Sequence, residues 1–334
     1  MKRLCCLFIF LCLPTVLFCD TNCVPASSRM PDRQPVSVPK LTYFVHQDDT
    51  GGSGSAFLLE DTNGVWLVSN VHVFSGSTNL TIINIEGKTI AVPTQVEVAK
   101  DRDMIRFLTK EPVGLWLSRS CEFEEPVCAY GDSGGAGVLT KLEGKAVAIG
   151  PDRIEISAEI IPGNSGGPVV NVDGEVVGVS SYLLRHQNLP DWIADGTRFA
   201  DTRRMALRLN DVEWIPVGFA DFYRQATVLK EIENALHAAI TITVILSGDI
   251  SNTIVIPTDH RGFQLWLKKH NRYAGNKSKR SALNNIKRLA KMVEDFETNS
   301  AANYEITIPF LKDKLSDMQE AYGATRRQLE LLMK

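Results

Sequence analysis

Two rhythms of apolar and polar positions divide this chain. Up to about residue 216, short apolar runs alternate with glycine-rich or charged breaks, the pattern of β-strands joined by turns. Residues 52–59 and 64–74 read as partner strands, and 104–108 as another apolar strand. Val169-Val170 and Val176-Val177 flank Asp173-Gly174, a dipeptide suited to a hairpin turn, and the run continues past Gly178 into Ser180-Ser181-Tyr182. Residues 212–216 read as a linker. Beyond it the spacing turns helical. Phe219, Phe222, Ala226, Leu229, Ile232 and Leu236 recur at helical intervals, and Leu283, Ile286, Leu289, Val293 and Phe296 do so again. Residues 240–246 and 254–256, on either side of Ser247-Gly248-Asp249, fit a hairpin or buried helix ends. Leu311, Leu315, Met318, Tyr322, Thr325, Leu329 and Leu332 alternate by four and three, the seam spacing of a heptad helix, and Pro309 suits its first turn.

A single stretch of the β-rich region carries chemistry. Gly163-Asn164-Ser165-Gly166-Gly167-Pro168 sets a serine between glycines in a tight turn. Glycine is required where the backbone must take angles that a side chain forbids. Such a turn makes Gly163, Asn164 and Ser165 a candidate oxyanion hole, with the N–H groups of Gly163 and Ser165 aimed at one spot beside the hydroxyl. A hydroxyl attacks poorly unless a base takes its proton. Of the six histidines, His72 lies at the end of an apolar strand. His46, His186, His237, His260 and His270 stand alone and read as surface or packed residues. Asp103, just before strand 104–108, is the candidate carboxylate that orients the imidazole, with Asp101 in reserve.

These segments resemble the trypsin-like serine proteases, and within them the HtrA/Deg type. The counterparts of that family's motifs read GSGSAF at 52–57, SNVHVF at 69–74, DMIRF at 103–107 and GNSGGP at 163–168. The order His, Asp, Ser is that of chymotrypsin and differs from the subtilisin and α/β-hydrolase orders. Arg106 departs from the family's usually apolar strand. The resemblance covers residues 36–216 and implies a mainly β fold, two six-stranded antiparallel β-barrels, with His72 and Asp103 on the first and Ser165 on the second. A mostly α-helical C-terminal domain, 217–334, would follow. No glycine-rich carboxylate-binding loop of a PDZ domain appears there.

A second motif competes for the nucleophile. Gly131-Asp132-Ser133-Gly134-Gly135 spells the digestive-enzyme version more literally. Yet the stretch from Asp103 to Ser133 is too short for the strands that must precede a nucleophile, at about five to six residues each. Ser133 is also followed by Gly-Gly-Ala, whereas Ser165 has Gly-Gly-Pro. Residues 131–137 are therefore read as a glycine-rich loop of the second barrel. For substrate binding the resemblance points to Glu159 at the base of the side-chain pocket. Glu159 would favour Lys or Arg there; if it faces solvent, Ile160 or Ile161 lines an apolar pocket. The backbone at Ser180 and Ser181 would pair with the substrate as an added strand.

The chain's start reads as a secretory signal peptide over residues 1–26: a basic Met1-Lys2-Arg3, an apolar run from Leu4 to Cys19 interrupted by Pro14, and a small-residue cleavage site. Secretion or a periplasmic location follows, and Phe18 and Asn22 argue against a lipidated Cys19 or Cys23. Of the seven cysteines, Cys121 and Cys128 remain in the mature chain. In an oxidising compartment they can close a small loop as a disulfide, or stay separate thiols.

Composition adds limits. A formal charge of −3 argues against bulk nucleic-acid binding, and no metal-ligand spacing or phosphate-cradling loop is present, so no cofactor is expected. Residues 259–291 hold ten Lys or Arg against one acidic residue, with Phe263, Trp266 and Tyr273 interleaved. That run is a solvated or protein-docking face, or it meets an anionic surface. The helix at 308–334 packs within its own chain, or serves a homo-oligomer or a partner helix. The reading is a serine endopeptidase acting on secreted or envelope polypeptides through His72, Asp103 and Ser165. Its alternatives are a catalytically silent or chaperone-like binding protein on a protease fold, and a non-peptide esterase.

Overall fold

The computed structural model describes residues 36–184, 202–247 and 306–333. Fourteen strands, β1 to β14, dominate these residues. Residues 42–108 supply the first sheet, with β1 (Thr42–Gln47), β2 (Gly52–Asp61), β3 (Gly64–Ser69), β4 (Leu80–Asn84), β5 (Gln95–Ala99) and β6 (Ile105–Leu108). With β14 (Trp214–Gly218) joining at one edge, its order is β14-β5-β6-β3-β2-β1-β4, and β7 (Leu115–Trp116) pairs in parallel with β2. A second unit is a closed barrel of order β10-β13-β12-β11-β8-β9. Its members are β8 (Pro126–Asp132), β9 (Leu139–Ile149), β10 (Arg153–Ile156), β11 (Pro168–Val170), β12 (Val176–Leu184) and β13 (Arg203–Leu207).

The expected pair of six-stranded barrels is therefore half correct. The second barrel closes; the first unit is an eight-stranded sheet whose edges, β14 and β4, do not meet. Two features account for the difference. Residues 212–216, read as a linker, instead lead into β14 (Trp214–Gly218), which pairs antiparallel with β5 along its whole length. The chain then enters helix α2 (Phe219–Ser247), which packs with helix α3 (Pro309–Met333). Phe222, Ala226, Leu229 and Ile232 of α2 and Phe310 and Leu311 of α3 are buried in one apolar cluster with Tyr43, Val45, Leu58, Leu67, Val98 and Phe107 of the sheet. The helices thus share the sheet's apolar core, and burying a Leu, Ile or Phe side chain there contributes roughly 1.5–3 kcal/mol.

Gln225 ties these helices together. Its side chain is 2% exposed; Oε1 accepts from the N–H groups of Thr307 and Ile308 at 2.8 and 3.1 Å, just before α3. Residues 240–246 belong to α2, so the apolar run there is helical. Its supposed partner at 254–256, the signal peptide and the basic run 259–291 lie outside the described residues. The hairpin β11–β12 forms as its turn chemistry suggests: Gly174 has φ +79°, and Asn171 Oδ1 accepts from the N–H groups of Asp173 and Glu175.

Arg106, the polar intruder in β6, has a structural place. Its guanidinium stacks over Trp66 at 4.0 Å and over Trp214 at 4.3 Å, while Glu97 accepts its Nε–H at 2.7 Å. It thereby fastens β14 to the sheet through cation–π contact.

Candidate active site

β3 stops at Ser69 and the chain makes one turn of helix, α1 (Val71–Phe74). Val71, Val73 and Phe74 point into the apolar cluster, which leaves His72 on the outside with its side chain 49% exposed. Asp103, in the turn before β6, meets it. Nδ1 of His72 lies 2.5 Å from Asp103 Oδ2, and the His72 backbone N–H donates to Asp103 Oδ1 at 3.1 Å. Asn70 Nδ2 donates to the Asp103 carbonyl at 2.6 Å and holds that turn against α1. Asp101 is occupied elsewhere: both its oxygens accept from Arg102 at 2.9 Å.

The two groups shape each other's ionisation. Partial desolvation by the surrounding protein opposes protonation of the half-exposed His72, but the Asp103 charge and its hydrogen bond outweigh that, and the imidazole pKa is raised above its ordinary value. For Asp103, burial pushes the carboxyl up, yet the His72 charge and the two hydrogen bonds from His72 hold it below the usual carboxylate range. Weaker fields come from the C-terminal helices, with Lys230 and Glu233 of α2 acting on His72 and Lys314 of α3 on Asp103.

Ser165 arrives from the barrel side, on the turn before β11. The turn lies against β2: Ser55 N–H donates to the Ser165 carbonyl at 2.7 Å, and Ser55 Oγ donates to the Gly163 carbonyl at 2.8 Å. Ser69 Oγ, at the end of the strand leading to His72, donates to the Ser55 carbonyl at 2.7 Å. One small residue therefore joins the histidine strand to the serine turn. The approach is close enough that a Cβ on Gly54 would fall 3.2 Å from the Ser165 carbonyl oxygen and 2.6 Å from Val73. Gly163 has φ +99°, the region that glycine allows.

Among the described residues the N–H groups of Gly163 and Ser165 have no hydrogen-bond acceptor, whereas Asn164 N–H donates to the Ile161 carbonyl at 3.1 Å. The Asn164 N–H is thus engaged, and the two unengaged N–H groups of this turn are those of its neighbours. The Ser165 hydroxyl donates to the Ser181 carbonyl at 3.0 Å, and no hydrogen bond joins it to His72. A serine hydroxyl, an imidazole held by a carboxylate and two unengaged N–H groups are the parts that acyl transfer requires.

The expected substrate-binding residues are placed differently from one another. Glu159 is exposed to solvent, and Ile160, 3% exposed, packs in the barrel core, while Ile161 is at the surface. Ser180 and Ser181 are buried beside the serine turn. β12 pairs with β13 on one side; on the other, among the described residues, β11 reaches only Val179, and beyond it the Ser181 carbonyl lies against the Ser165 turn. The Cys121–Cys128 bridge is not formed. Both thiols are free: Cys121 packs against the inner barrel cluster and Cys128 against the cluster that joins the two units. Burial and the Glu125 carboxylate push the Cys121 thiol up to about 11. Among the described residues no group of His, Cys, Asp or Glu stands together to hold a metal ion.

Residues 54–179 match the model of the trypsin-like peptidase domain family. This segment is a trypsin-like peptidase domain. The serine protease Do-like HtrA of Bacillus subtilis is 28% identical over 164 residues, 43% of this chain and 36% of the relative. The putative serine protease HhoB of Synechocystis is 30% identical over 148 residues, 40% of this chain and 35% of the relative. Mitochondrial serine protease HTRA2 of Bos taurus is 33% identical over 147 residues, 40% and 32%. The chain spans about a third of the length of these relatives. The solved active form of the Rv3671c protease from M. tuberculosis has a TM-score of 0.40 at 18% identity, over 52% of this chain and 78% of that one.

Two residues of the peptidase domain's site escape the sequence reading, which places Ser55 merely in a strand and Ser133 merely in a loop. A small hydroxyl among apolar residues in GSGSAF is the available signal for Ser55, since a buried polar side chain must find partners. For Ser133 the signal is the glycine-rich loop itself.

Proposed function

We propose that this protein is a serine endopeptidase that cleaves polypeptides through an acyl-enzyme. The observation that carries this reading is the His72–Asp103 pair standing beside a serine turn with two unengaged N–H groups. The Asp103 carboxylate holds the proton on Nδ1 of His72, which leaves Nε2 as the base. The Ser165 hydroxyl turns from Ser181 to Nε2, gives up its proton and attacks the scissile carbonyl. Gly163 and Ser165 N–H groups receive the developing oxyanion. His72 then protonates the leaving amine, and water repeats the sequence to release the acid. Among the described residues no strand pairs with the β11 side of β12 beyond Ser180, which suits a substrate that docks as an added strand.

The leader-like residues 1–26 support a secreted or periplasmic location, where envelope or secreted polypeptides are the substrates. A second reading, a binding protein that keeps the fold without turnover, is favoured by the Ser165 hydroxyl resting on Ser181. A fluorophosphonate probe separates them on wild type, Ser165→Ala, Ser133→Ala and His72→Ala. The endopeptidase reading expects label on wild type and Ser133→Ala, and none on Ser165→Ala or His72→Ala. Absence of label on wild type favours the binding protein.

A further inference from the structure

We propose that the second glycine-serine motif, Gly131–Gly135, is the clamp that sets the oxyanion turn, and that Ser133 is its positioning residue. The inference rests on the endopeptidase reading of Ser165. Although Ser133 belongs to a motif that looks like a nucleophile's, it grips the real candidate from behind. Ser133 Oγ lies 3.1 Å from Asn164 Oδ1, the side chain between the two oxyanion donors. It also lies 2.5 Å from Thr140 Oγ1 on β9. Thr140 Oγ1 also donates to the Gly131 carbonyl at 2.9 Å, so the Ser133 hydroxyl is held between β9 and the Asn164 side chain.

The same loop holds the turn at two further points. Gly134 N–H donates to the Pro162 carbonyl at 2.8 Å, and Asp132 N–H donates to Ser55 Oγ at 2.9 Å, the hydroxyl that in turn donates to the Gly163 carbonyl. Contact is tight: a Cβ on Gly163 would fall 2.0 Å from the Asp132 carbonyl oxygen. The loop is braced in its own right, because the buried Asp132 accepts the N–H groups of Gly137 and Val138 on Oδ1. Asn164 depends on Ser133 to a marked degree. Its Nδ2 is buried with no partner, and Oδ1 has besides Ser133 only the Ile161 N–H. Without the Ser133 hydroxyl, the Asn164 side chain keeps a single tether, the Ile161 N–H, and the turn that carries the N–H groups on either side is held less firmly.

Oxyanion donors act through placement, so a shift of a fraction of an ångström costs rate while leaving the base untouched. The test measures the rate of fluorophosphonate labelling against pH for the full chain and for Ser133→Ala, Ser133→Thr and Ser165→Ala. Melting temperatures are recorded alongside. The expected result for Ser133→Ala is a plateau rate lower by roughly tenfold to a hundredfold. The midpoint of the acidic limb, set by His72, stays where it is. Ser133→Thr, which keeps the hydroxyl, restores most of the rate. A wild-type plateau in Ser133→Ala overturns the proposal. So does a plateau loss accompanied by a shifted midpoint and a lower melting temperature that threonine does not repair, since that marks general loosening. No label on wild type removes the endopeptidase reading and this inference with it, an outcome distinct from both.

Discussion

Asp103 and Asp101 are two residues apart, and the guanidinium between them separates their roles. Arg102, 8% exposed, takes Asp101 in a two-pronged pair and donates to the Arg208 carbonyl, which leaves Asp103 as the carboxylate that faces His72. An asparagine at 103 would keep the shape but allow the wrong imidazole tautomer. Asp103→Asn is therefore expected to lower kcat by about 10³–10⁴. The pH profile carries the sign. The Asp103 charge raises the His72 pKa, and the base works only when neutral, so activity rises with pH through that raised value. Removing the charge moves the acidic limb of the profile to lower pH, and a limb that moves upward would contradict this account of the pair. His72 and Ser165 are legible in the sequence because each sits in a motif whose neighbours are dictated by backbone geometry. The partner of a carboxylate is dictated by whichever cation the fold brings near it, and that does not appear in the local spacing.

At the scale of elements, hairpins and amphipathic faces announce themselves, whereas pairings between distant segments do not. The turn at Asp173-Gly174 and the apolar stripe of α2 are local facts. The strand at 214–218 is not, because its hydrogen-bond partner β5 lies more than a hundred residues earlier. Arg106 is the visible trace of that pairing: an arginine in an apolar strand needs a partner, and Trp66 and Trp214 provide two ring faces. Trp214→Ala is expected to cost roughly 2 kcal/mol, measured as a lower urea midpoint, because a half-buried aromatic and one cation–π contact are lost together. Arg106→Lys should lose about 1 kcal/mol, since an ammonium keeps the charge but not the flat face between the rings. Gln225→Leu removes the acceptor for the Thr307 and Ile308 N–H groups ahead of α3, and an expected loss of about 1–3 kcal/mol follows from leaving the buried one, that of Ile308, unsatisfied.

Over the whole molecule, the side chains next to His72 and those of the C-terminal helices belong to one core. Val71 and Val73 flank the imidazole in sequence and share their cluster with Leu229, Ile232, Phe310 and Leu311. Leu311→Ala is therefore expected to cost about 2–4 kcal/mol, read by thermal denaturation, and to reduce fluorophosphonate labelling in step with the lost stability. Unchanged melting would show that α3 does not prop this core. Leu311 is 2% exposed, and Leu315 and Met318 pack against the same cluster, so the beginning of the heptad seam is occupied by its own chain. What the sequence by itself determined is what local chemistry encodes: the β-rich and helical stretches, the hairpin behind the serine, the motifs of a trypsin-like peptidase segment, and the His, Asp, Ser order. Only the tertiary structure decided that one barrel closes while the other unit stays an open sheet packed by helices. It also decided which carboxylate meets His72, and that the second serine motif lies behind the first. Each of these depends on contacts between residues far apart in the chain, whose geometry follows from packing and from the need to satisfy buried polar groups.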